Sequence, residues 1–73
     1  MTMRYVIADK LKAAAFGISP DGHRTKNGKV ILNEKEIGSV PGRTVTAKLT
    51  AIGGTSYTAS NLKRKLREEG WNE

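Results

Sequence analysis

In HRTKNGKVIL (23–32), an Asn-Gly pair separates a basic run from an apolar one. Both residues tolerate positive φ, so they suit a two-residue type I′ hairpin turn. On that reading residues 23–26 pair with residues 29–32 as antiparallel strands. Side chains alternate along a strand, so Val30 and Leu32 face one way and Ile31 the other.

Toward the N-terminus, RYVIA (4–8) is a short apolar run rich in strand formers, and it reads as a strand. Asp9 has the character of a helix N-cap. KLKAAAF (10–16) has high helix propensity, and Gly17 stops it. Leu11, Ala14, Ala15 and Ile18 are expected to share the packed face of this helix of about two turns. SPDG (19–22) is a turn signal with proline at its second position.

Toward the C-terminus, NEKEI (33–37) sets Asn33 three residues before Glu36, which resembles a capping box and predicts a short helix. RTVTAKLTAIGG (43–54) supports two readings. Val45, Ala47, Leu49 and Ala51 alternate as in a strand, and the threonines favour one. Val45, Leu49 and Ile52 also recur at helical spacing, between a cap-like Thr44 and a terminal Gly-Gly. The helix is preferred. GTSYT (54–58) reads as a loop or a short extended piece. Thr58 caps a last helix over 59–69, which Gly70 ends. The expected fold is α+β: a single domain over residues 1–73. It would hold a short antiparallel sheet (the N-terminal strand plus the hairpin) and three to four short helices, the last one C-terminal.

The chain has 73 residues, room for one domain. It has no cysteine, which excludes a disulfide framework, a thiol nucleophile and a cysteine-based zinc site. A small secreted domain is usually stapled, so a reducing cytoplasm is the expected location. MTMRYVIADK lacks the apolar stretch of a signal peptide, and no run approaches the length of a membrane span. The one histidine, His23, has no cysteine to activate and no second histidine to share a metal, so it reads as a solvated loop residue. Neither catalytic residue, cofactor nor metal is expected. GHRTKNGK (22–29) approaches a phosphate-binding P-loop, but five residues separate its glycines and Val30 follows its lysine. GGTS (53–56) could offer amides to a phosphate, though a C-cap and a turn explain it better.

The net charge of +6 and a pI near 10.0 favour anionic partners. The densest basic segment is NLKRKLREEGW (61–71). On a helical wheel Leu62, Leu66 and Ala59 form the packed stripe, Lys63 and Lys65 flank it, and Arg64 and Arg67 point outward. Glu68 and Glu69 sit in the last turn, where the helix dipole prefers cations. Lys26 and Lys29 flank the Asn-Gly turn, and like charges opposite each other destabilise a strand pair. An anionic partner would relieve both layouts.

The expectation is therefore a non-catalytic nucleic-acid-binding protein that contacts mainly phosphates. Lys63, Arg64 and Arg67 lead, helped by Arg24, Lys26 and Lys29 on the hairpin. The alternative is a small protein–protein interaction or regulatory module. It would use the Leu62/Leu66/Trp71 surface, with Tyr57, to bind an acidic protein or itself as a homodimer. A membrane is not an expected partner. A helix-turn-helix fits poorly, because six residues separate the two candidate helices; a looser helix–loop–helix stands. RNA binding through aromatic stacking is not favoured, since Tyr5, Phe16, Tyr57 and Trp71 are not interleaved with arginine.

Overall fold

In the computed structural model, which describes residues 3–71, Asn27 has φ 52° and Gly28 φ 78°. This is the left-handed pair that a type I′ turn requires. It joins β2 (Thr25–Lys26) to β3 (Lys29–Asn33), with Lys26 opposite Lys29 and Thr25 opposite Val30. β2 is shorter than the four residues expected; beyond it, only the Arg24 carbonyl extends the ladder, accepting from Ile31 N at 3.0 Å. β1 (Arg4–Asp9) pairs antiparallel with β3. On its other side lies β4 (Thr55–Thr58), also antiparallel, so the sheet order is β2-β3-β1-β4. Val6, Ile7 and Ala8 are all buried, because β1 is central and both faces of the sheet are covered.

One face carries Val6, Ala8, Val30 and Leu32. It is covered by α1 (Lys10–Ala15), the 3-10 helix Glu34–Ser39 and α2 (Val45–Ala51), with Ala13, Ile18, Ile37, Val40 and Ile52 closing the core. The opposite face carries Tyr5, Ile7, Ile31 and Tyr57. There α3 (Ala59–Glu68) packs alone through Leu62 and Leu66, joined by Trp71. The result is one small α+β domain with four helices, counting the 3-10 segment. Among the described residues no helix is long and apolar enough to cross a membrane.

The expected caps form. Asp9 Oδ1 accepts from Leu11 N at 2.9 Å and Lys12 N at 3.0 Å. Asn33 and Glu36 complete the capping box, with Glu36 Oε1 accepting from Asn33 N at 3.1 Å. Thr44 Oγ1 accepts from Ala47 N at 3.1 Å, and residues 45–51 are helical. The threonines that argued for a strand there are used locally: Thr44 as the cap, and Thr50 Oγ1 donating to Thr46 O at 2.9 Å.

Three expectations need correction. α1 buries Ala13 and is followed by buried Ile18, whereas Leu11 is 76% exposed and Ala14 and Ala15 face solvent. Asp9 N donates to Ile52 O and Lys10 N to Gly28 O, and these bonds fix the rotation of a helix too short to choose its own face. The first turn lies one residue later than SPDG suggests: His23 N donates to Pro20 O at 3.1 Å, with Gly22 at φ 81°. Of the two readings of residues 54–58, the short extended one holds: residues 55–58 form β4, too brief for its alternation to register in sequence. α2 and α3 flank that strand and lie on opposite faces of the sheet, which removes the helix–loop–helix reading.

Candidate nucleic-acid interface

α3 begins where Thr58 Oγ1 accepts from Asn61 N at 3.3 Å, at the β4 end paired with Arg4. It crosses the sheet and ends against the hairpin tip. Leu62 and Leu66 are buried as the wheel requires; Ala59, the third residue of that stripe, is exposed in the first turn. The close is a Schellman motif: Gly70 N donates to Arg67 O at 3.3 Å and Trp71 N to Leu66 O at 2.9 Å, with Gly70 at φ 72°.

The hairpin lysines meet this helix end. Lys26 Nζ donates to Glu69 O at 3.2 Å and also to Gly70 O. Cations favour the carbonyl end of a helix dipole. Lys29 Nζ lies 3.7 Å from Glu69 Oε1, and Lys65 Nζ lies 3.9 Å from the same oxygen. The two unfavourable charge layouts seen in the sequence therefore answer each other in part: Glu69 and the carbonyl end of α3 face the lysines opposed at the turn. Lys26 and Lys29 have partners inside the chain.

Lys63, Arg64 and Arg67 differ. All three are exposed, and among the described residues none forms an ion pair. Four acids are engaged elsewhere, while Glu68 is exposed in the last turn of α3. Glu34 Oε2 lies 3.5 Å from Arg4 Nε and accepts from Ser56 Oγ at 3.0 Å. Glu36 holds His23, Glu69 takes two lysines, and Asp9 caps α1.

Arg24 faces this cluster from the hairpin. A shallow groove of about 300 Å³ runs between the helix and the sheet, with Arg24 on one wall and Lys63 on the other. Tyr5, Ile31, Leu62 and Leu66 line it between those walls. A second hollow continues past Lys63 to Arg67 and Trp71. Arg24 is exposed and also engaged within the chain. The fold thus gathers Arg24, Lys63 and Arg67 on one flank of α3, with Arg64 beside them on its outer face. Lys29 lies on the other flank, against Glu69.

No family model, curated protein or solved structure matches this chain. What the site can do rests on its own geometry. His23 departs from the expectation of a solvated loop residue: Nε2 lies 2.5 Å from Glu36 Oε2, while Nδ1 is buried without a hydrogen-bond partner among the described residues. It ties the base of the hairpin to the capping box. Among the described residues no group of three or more His, Cys, Asp or Glu side chains is placed to hold a metal. Tyr5 is the site residue that sequence reasoning missed. Its alternation with Val6 puts it on the face of Ile31, but only the pairing of β1 with β3 brings it into the groove that Arg24 also lines.

Proposed function

We propose that this is a non-catalytic nucleic-acid-binding protein whose contacts are mainly to phosphates. One observation carries the reading: Lys63, Arg64 and Arg67 project from two turns of one helix, exposed and without ion pairs among the described residues. Arg24 adds a cation across the groove. Lys26 and Lys29 contribute to the local field, but their first role is to hold the end of α3. The rival surface, Leu62/Leu66/Trp71, is buried against the sheet, so it offers little to a partner protein or a second copy. A chain without cysteine suits a reducing cytoplasm.

Anisotropy of labelled duplex DNA, single-stranded DNA and RNA, at roughly 50 and 200 mM salt, tests the proposal. Affinity is expected to fall steeply as counterions are no longer released into dilute solution. No binding at the lower salt overturns it.

A further inference from the structure

The cations do not sit on a convex ridge. Arg24 stands on the hairpin side of a groove, and Lys63 and Arg67 stand on the helix side. Between Arg24 and Lys63 the lining turns apolar, and it includes one aromatic ring, that of half-buried Tyr5. The ring packs beside Ile31 and Leu62 on the sheet face, and its hydroxyl donates to Met3 Sδ at 3.2 Å at the exposed end. Trp71 is only 9% exposed and belongs to the core.

We infer that the occupant of this groove is a single strand of nucleic acid, with its backbone between Arg24 and the Lys63/Arg67 wall and a base against Tyr5. The inference rests on the nucleic-acid reading above. A single strand can place phosphates at the rim and a base on the floor at once. A duplex keeps its bases stacked inside and offers the groove only its phosphate edge. Cationic grooves that track a backbone, with aromatic rings beneath the bases, are the common means of binding single strands without sequence preference. The tyrosine and the basic residues come from β1, the hairpin and α3, which is why their combination is invisible along the chain.

The test compares a labelled ten-nucleotide uridine RNA with an RNA duplex of equal phosphate count, by anisotropy at low salt. The single strand is expected to bind more tightly. Tyr5→Leu is expected to weaken the single strand by about fivefold or more, the lower range for losing one stacked base, while duplex affinity stays within about twofold. Tyr5→Phe keeps the ring and should bind as the parent does. Circular dichroism of each variant checks that the fold is retained. Equal or tighter duplex binding overturns the inference. So does an unchanged affinity in Tyr5→Leu, or displacement of the RNA by a ten-residue polyglutamate at matched charge. If binding remains steeply salt-dependent in those cases, the phosphate reading survives; if no nucleic acid binds, both fall.

Discussion

Two adjacent glycines do different work. Gly53, at φ 62°, takes the left-handed position that ends α2. Gly54 has no such conformation, but a Cβ there would lie 2.9 Å from Val6 Cγ1 and 3.4 Å from Ala8 Cβ. It is glycine because the central strand passes beneath it. Gly54→Ala is expected to destabilise the domain by about 1–3 kcal/mol through overpacking, read as a lower urea midpoint. Gly38 meets nothing within 4 Å and has no positive φ, so Gly38→Ala should leave the midpoint unchanged or raise it slightly. The lysines divide in the same way. Lys26→Met removes the cation from the end of α3 and should lower stability by about 1–2 kcal/mol. Lys63→Met should leave stability within about 0.5 kcal/mol and act on binding instead. Their roles cannot be told apart from their neighbours in sequence. Lys26 meets an acceptor 44 residues away, and Lys63 meets none among the described residues.

At the scale of the element, all three α-helices close with glycine in the left-handed region: Gly17, Gly53 and Gly70. The following residues bond back in each case, as Ile18 N does to Ala13 O at 3.0 Å and Gly54 N to Leu49 O at 2.8 Å. These ends, and the N-caps Asp9, Thr44 and Thr58, were legible because a cap is a contact within a few residues. Gly70→Ala should lower stability by about 1–2 kcal/mol, the cost of a side chain in that conformation. Its Cβ would also stand 3.2 Å from Lys26 Nζ. In a double-mutant cycle with Lys26→Met, the two effects should therefore not add, since both act on one helix end. The packed face of a short helix was harder to read. In α3, two leucines four residues apart identify the buried side. In α1, three alanines and one leucine do not, and backbone bonds from Asp9 and Lys10 bring Ala13 inward.

For the whole molecule, the sheet separates two environments. One face is closed by α1, the 3-10 helix and α2. The other is covered by α3 alone, so one flank of that helix opens as a groove with cations on both sides. If Lys63, Arg64 and Arg67 each neutralise a phosphate, replacing all three by glutamine should flatten the slope of log affinity against log salt by about 2 for a single strand. An unchanged slope would move the interface elsewhere. Exposed substitutions of this kind should leave the urea transition nearly where it was.

The amino-acid sequence by itself determined what short-range chemistry determines. The Asn-Gly turn, the capping residues, the glycine stops and the surplus of positive charge all follow from contacts or counts that need no third dimension. Tertiary structure alone decided the rest. It paired residues 55–58 with β1, placed α2 and α3 on opposite faces, turned Lys26 and Lys29 toward the end of α3, and set Tyr5 between Arg24 and Lys63. Each of those outcomes joins residues far apart in the chain, and sheet pairing, not local preference, sets which of them meet.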